Sequence, residues 1–148
     1  LVIDMPPGTG DAQLTLSQRA KLAGAVIVST PQDLALIDAR KGLNMFRKVD
    51  VPILGIIENM SYFICPHCNE RTDVFSHGGA RDEATKLDVP FLGEIPLDIR
   101  IRETSDGGHP IVVAEPESSF AQSYREIAQA ILDSVADNQR QAPKIVIQ

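Results

Sequence analysis

Hydrophobic and polar positions alternate in blocks along this chain. Residues 25–29 (Ala-Val-Ile-Val-Ser) form a short apolar run of the buried-strand type, and Thr30-Pro31 offers an N-cap followed by proline at the first helical position. The spacing predicts a helix over 31–48, because Leu36, Ala39, Leu43 and Phe46 recur at helical intervals. Arg40, Lys41, Arg47 and Lys48 take its other side and its C-terminal end, where cations suit the helix dipole. Pro52 ends the pattern and residues 53–57 predict the next strand. Residues 78–87 read as a helix, and 91–95 as a strand bracketed by Pro90 and Pro96. In the last helix Ser119 and Gln122 have capping-box spacing, and Phe120, Tyr124, Ile127, Ile131, Leu132 and Val135 share one face. That helix is expected to end near Ala136, leaving 137–148 as a polar tail.

The opening Leu1-Val2-Ile3 meets Asp4 and then a Pro-Pro-Gly turn, the pattern of a buried strand whose charged residue emerges at the carboxyl edge of a sheet. No Met precedes it, so the chain is expected to begin inside a fold. Strands alternating with helices at this spacing predict an α/β fold, a doubly wound and mostly parallel sheet, within a single domain over residues 1–136. In such sheets ligands bind beyond the carboxyl ends of strands. The segments starting at Asp4, Glu58 and Pro96 all follow predicted strands.

Composition narrows the field. With 148 residues, 43% hydrophobic and 23% charged, the chain has the balance of one folded domain. It contains neither an apolar run of about eighteen residues nor a secretory leader pattern, so a cytoplasmic address is expected. A net charge of −6, with no basic run longer than Arg40-Lys41, argues against nucleic-acid binding. The final helix to Ala136 has Arg125 as its one basic residue, which argues against a membrane-binding amphipathic helix.

Two segments carry chemistry. At a strand end, the Asp4 carboxylate can hold the water shell of Mg²⁺, and Gly8 can bring a backbone N–H close to a terminal phosphate. The same residues also suit an ordinary proline-rich turn with a solvated aspartate. The second segment is Cys65-Pro66-His67-Cys68, which holds both cysteines of the chain. Paired thiols outside a secreted protein suit Zn²⁺, an iron–sulfur cluster or a redox dithiol. Metal and cluster sites want four ligands, and this loop offers two sulfurs. The rest could come from a symmetry-related copy of the loop, from His67, His77 or His109, or from cysteines elsewhere. The flanking Met60, Tyr62, Phe63 and Ile64 suit core packing or a dimer contact.

The residues from Leu1 to about Val135 resemble the Mrp/ApbC proteins, MinD-like P-loop ATPases that carry iron–sulfur clusters. The likeness rests on Leu-Val-Ile-Asp-Met-Pro-Pro-Gly-Thr-Gly-Asp, Val-Ile-Val-Ser-Thr-Pro-Gln-Asp, Gly-Ile-Ile-Glu-Asn-Met-Ser-Tyr-Phe, the CPHC and Phe-Leu-Gly-Glu-Ile-Pro-Leu-Asp, in that order. The resemblance implies ATP with Mg²⁺ near Asp4 and a phosphate-sensing switch containing Gly8. It implies that Asn59 reads the adenine edge, with Pro96 and Asp98 in the loop along the base. It further implies a homodimer in which Cys65 and Cys68 of each subunit hold a bridging [4Fe–4S] cluster, delivered to apo iron–sulfur proteins.

One family motif is missing: no G-x-x-x-x-G-K-[ST] occurs in the sequence, and Gly8-Thr9-Gly10 has no lysine after it. ATP hydrolysis is therefore expected of a longer parent, with this chain as its C-terminal part and inactive alone. Two rival readings stand beside the carrier. A MinD- or ParA-like positioning ATPase shares the Asp4 segment but gives the cysteines no task. A zinc-stabilised interaction module explains the cysteines but leaves Asp4, Asn59 and Asp98 a coincidence.

Overall fold

The computed structural model describes residues 1–6 and 10–140. The chain order is α1 (Asp11–Arg19), β1 (Ala25–Ser29), α2 (Asp33–Lys48), β2 (Ile53–Ile64) and β3 (Arg71–Thr72). After these come α3 (Gly79–Lys86), β4 (Phe91–Leu97), α4 (Ile99–Asp106), α5 (Ile111–Ala114) and α6 (Ser119–Arg140). Strand β2 is the centre of the sheet, parallel to β1 on one side and to β4 on the other, and antiparallel to the short β3 at its far end. Phe63 pairs with both Thr72 and Leu97, so β3 lies past the end of β1 on the same side of β2.

Both faces of the sheet are covered, which is the doubly wound arrangement. On one face Ile27 and Ile56 pack with Leu36, Leu43 and Phe46 of α2 and with Ala80 and Ala84 of α3. Phe91, paired with Ile56, joins that face. Strand β4 then carries one extra residue, Leu92, before Gly93 pairs with Ile57, and the bulge sends Gly93 to the opposite face. There a Cβ on Gly93 would sit 2.8 Å from Ile127 Cγ1 of α6, and the residue's φ of +150° also favours glycine. The bulge and the glycine together let α6 lie close against the second face. Across the first face Arg40 of α2 grips the buried Glu83 of α3 through two charge-assisted hydrogen bonds, one of them Nη2–Oε2 at 2.7 Å.

Several expectations need adjusting. Leu1, Val2 and Ile3 form no strand, and Leu1 and Val2 are fully exposed, because no described strand lies alongside to complete a ladder. Helix α2 starts at Asp33 behind Gln32, two residues later than expected, with Pro31 still in the turn before it. Strand β2 continues to Ile64 instead of stopping at Ile57, and β4 runs through the buried Pro96 to Leu97. Proline is tolerated there because the β2–β4 register breaks between Asn59 and Phe63, where no ladder N–H is demanded of it. Helix α6 is capped by Ser118, whose Oγ accepts the Ala121 N–H at 3.1 Å, while the Gln122 amide turns to Glu126. It continues to Arg140, past the expected end at Ala136, as Gln and Arg propagate a helix well and no Pro intervenes before Pro143. Arg40 does not merely face solvent on the far side of α2, since its guanidinium reaches across to Glu83.

One buried group ties these elements together. Glu58 on β2 is fully buried, and its carboxylate accepts the Gly78 N–H at 3.0 Å, the Ala80 N–H at 2.8 Å and the Ser61 O–H at 2.5 Å. It thus satisfies amides at the first turn of α3 that have no partner within the helix, and places a negative charge at the positive end of the dipole. Gly78 makes this approach possible by taking the left-handed conformation, φ +79°. Replacing Glu58 with Ala strands two amides and a hydroxyl, and should lower unfolding free energy by about 3 kcal/mol in urea titration. A loss under about 1 kcal/mol would show that the carboxylate is not what fixes α3.

Candidate functional site

The end of β2 leads to the cysteines by way of an irregular backbone. Directly after Glu58, the Asn59 side-chain oxygen accepts the Met60 N–H at 3.0 Å, and Met60 has a left-handed φ of +53°. This residue-level kink re-aims the strand, and Ser61 then turns inward to reach Glu58. Ser61 Oγ also lies 3.3 Å from Glu94 Oε2 on β4, which in turn contacts His77 Nε2 at 3.0 Å, while Glu94 Oε1 accepts from Arg81 at 2.7 Å. Burial pushes the Glu94 carboxyl up, but the hydrogen bonds from His77 and Arg81 outweigh it and hold the group below its ordinary range. The stabilisation this carries is complete above the unfolded carboxyl pKa and lost as pH falls through the lowered folded value.

Beyond Ser61 the strand projects as a hairpin with β3. Phe63 pairs with Thr72 and Ile64 with Arg71, and the Arg71 guanidinium lies 4.3 Å from the centre of the Tyr62 ring. The loop between them is closed by two backbone bonds, Cys65 N–H to Glu70 O and Asn69 N–H to Cys65 O, each 2.9 Å. Asn69 supplies the left-handed turn residue, φ +58°. Both cysteines are free; Cys65 is half-buried at the root of the loop and Cys68 exposed at its tip. Hydrogen bonding from the backbone of Cys68 and His67, with the Cys68 side chain adding to it, holds the Cys65 thiol below the ordinary range.

Among the described residues no third His, Cys, Asp or Glu joins the pair to make a metal site. His77 is engaged by Glu94, and His67 is exposed within the loop itself.

The expected nucleotide residues are divided. Asn59 lines a cleft of about 650 Å³ together with Met5, Pro6, Ser29 and Thr30, so the strand-end segments of β1 and β2 meet the residues that follow Asp4. Asp4 itself is exposed, and Gly8 lies outside the described residues. Pro96 and Asp98 are not among the residues lining this cleft. Asp98 caps α4, its Oδ1 accepting the Arg100 N–H at 2.8 Å and Nε at 3.2 Å. Neither this cleft nor the sequence supplies a lysine-bearing glycine loop for phosphates.

Sequence reasoning missed Glu58, Ser61, Glu94 and Arg81, the groups that hold the hairpin in place. The signal available was the run Glu-Asn-Met-Ser at a strand end, which gave no hint that its acid turns inward.

Comparison with known proteins completes the picture. A family model, ParA: NUBPL iron-transfer P-loop NTPase, matches residues 1–132. The iron-sulfur cluster transfer protein NUBPL of Dictyostelium discoideum is 58% identical over 132 residues, covering 89% of this chain and 41% of that protein. Among solved structures, a nucleotide-binding protein from Archaeoglobus fulgidus in complex with ADP is 46% identical with a TM-score of 0.65, covering 78% of this chain and 46% of that one. The cell division ATPase MinD of Pyrococcus furiosus is 28% identical with a TM-score of 0.60, covering 75% of this chain and 43% of that one. The chain thus spans less than half the length of each.

The amides around Cys65 make a direct prediction. In a Cys68→Ser variant, where Cys65 is the one remaining thiol, ultraviolet thiolate absorbance should reach its midpoint below the roughly 8.5 of a free cysteine. A midpoint at or above that value would mean that the loop does not favour the thiolate.

Proposed function

The chain belongs to the NUBPL iron-transfer P-loop NTPase family, and on that premise we propose that it carries an iron–sulfur cluster as cargo and passes it to apo iron–sulfur proteins. The observation that carries this reading is the pair Cys65 and Cys68 in a hydrogen-bonded loop at the open end of the β2–β3 hairpin, with no third ligand beside it among the described residues. Two thiols cannot complete a four-cysteine cluster. A two-fold dimer in which each copy contributes the same pair is the simplest closed solution, and the cargo is then a bridging [4Fe–4S] cluster. Exposed Met60, Ile64 and Val74 flank the hairpin and give such a dimer an apolar rim. The two free thiols also favour a reducing compartment such as the cytoplasm.

The MinD-like reading is weaker, since the identity to a MinD is 28% against 58% to a cluster-transfer protein and a positioning ATPase leaves the cysteine loop idle. A zinc-stabilised module needs four ligands as well and would have no use for Asn59 in a cleft. Within the carrier reading Asn59 reads the base of ATP, Asp4 holds the water shell of Mg²⁺ and Gly8 senses the terminal phosphate. Pro96 and Asp98 lie outside the cleft that Asn59 lines, Asp98 with part of its carboxylate given to α4, so a part in holding the base requires them to approach it. Bound nucleotide would supply the energy of hydrolysis to cluster loading or release.

Two outcomes test this. Anaerobic reconstitution with iron and sulfide should give a brown protein with about one [4Fe–4S] per two chains, sedimenting as a dimer, because a ligand that binds only the assembled state stabilises it. Cys65→Ala or Cys68→Ala should abolish loading and association together. A fully loaded monomer would sink the bridging arrangement, and stoichiometric zinc without iron would favour the interaction module. Separately, this chain should hydrolyse no ATP above a blank, as it lacks the lysine-bearing loop. Turnover abolished by Asp4→Ala would contradict that.

A further inference from the structure

The two cysteines of the loop are held very differently. Cys65 continues β2, and both of its backbone polar groups are fixed, the N–H to Glu70 O and the carbonyl to Asn69 N–H, at 2.9 Å each. Its side chain is half-buried. The strand behind it is fixed in turn, by pairing with β3 at Ile64 and Phe63 and by the Ser61 hydroxyl on the buried Glu58. Cys68 sits three residues further on, exposed at the tip, between the exposed His67 and the left-handed Asn69. Cys68 is exposed in the chain, and moving it disturbs no strand pairing.

We propose that the pair is divided into an anchor and an exchange ligand: Cys68 leaves the cluster first during transfer, and Cys65 stays bound until the acceptor has engaged. This rests on the carrier reading and adds to it an order of events. In the step itself a thiolate of the acceptor protein attacks the iron held by Cys68. An iron–sulfur bond to the acceptor forms as the bond to Cys68 Sγ breaks. Cys68 departs as thiolate, and the proton given up by the acceptor thiol is available through solvent to neutralise it. No electron changes hands, so no oxidant or reductant is required. Cys65 keeps its bond meanwhile, because its backbone cannot withdraw without breaking the loop's two hydrogen bonds.

The test uses the wild-type protein loaded anaerobically with iron and sulfide, mixed with an apo-ferredoxin bearing four free cysteines. Aliquots are quenched with excess iodoacetamide during transfer, and the cysteines are mapped by peptide mass spectrometry. Without acceptor, both Cys65 and Cys68 should be protected. With acceptor, Cys68 should become alkylated about tenfold ahead of Cys65, a barrier difference of ~1.4 kcal/mol. Equal labelling, or Cys65 first, in a protein that loads and transfers normally would overturn the order while leaving the carrier reading intact. A protein that takes up no cluster at all would overturn the carrier reading and this inference with it.

Discussion

A single carboxylate inside the sheet sets the geometry of everything beyond it. Glu58 is buried completely, and removing a carboxylate from water costs several kcal/mol unless donors replace the solvent. Here three donors converge on it, two from the first turn of α3 and one from Ser61. Because the amides come from positions 20 and 22 residues downstream and the hydroxyl from the strand itself, satisfying the charge draws the strand and the start of α3 together. Strand β2 must kink at Met60 so that Ser61 turns inward, and α3 must start at Gly78. The hairpin that carries the cysteines inherits its direction from that kink.

The rest of the packing serves the same end. Helix α3, pinned at its start by Glu58, is held in its middle by the Arg40–Glu83 pair and at its end by the Arg47 side chain on Leu87 O at 2.6 Å. On β4, Glu94 meets Ser61, His77 and Arg81, joining the strand to the segment that leads into α3. The opposite face is closed by α6 against Gly93. On the proposed carrier reading, a loop that offers two thiols to a shared cluster gains from such a base, since ligands held loosely would pay an ordering cost on every loading. Met60, Ile64 and Val74 around the hairpin remain exposed.

Much of this was legible in the sequence, for a physical reason: strand 25–29, helix α2, helix α3 and helix α6 are amphipathic or wholly apolar segments whose periodicity is local. Their boundaries were less legible, because Gln32 takes the N-cap position of α2 without a side-chain cap bond and Ser118 caps α6, where neighbouring Thr30 and Ser119 have the better-known signals. Helix α1 escaped notice since its buried face is polar, Gln13 and Ser17, and carries no hydrophobic period. The Cys65-Pro66-His67-Cys68 spacing marked a thiol pair suited to a metal, a cluster or redox use, without choosing among them. Glu58 did not, since a glutamate in a sequence carries no mark of burial and its partners lie about twenty residues downstream. Pro96 was read as the end of a strand that in fact runs through it, a choice settled by where the neighbouring ladder breaks.

Amide hydrogen exchange read residue by residue by NMR tests the central role of Glu58 most directly. In the wild-type protein the Gly78 and Ala80 amides should exchange as slowly as those in the middle of β2, although neither lies in a strand. In Glu58→Ala those two amides should lose protection, and so should the Cys65 amide at the root of the cysteine loop. Fast exchange of Gly78 and Ala80 in the wild type, or a Cys65 amide indifferent to the substitution, would contradict the claim that this buried carboxylate positions the cysteine pair.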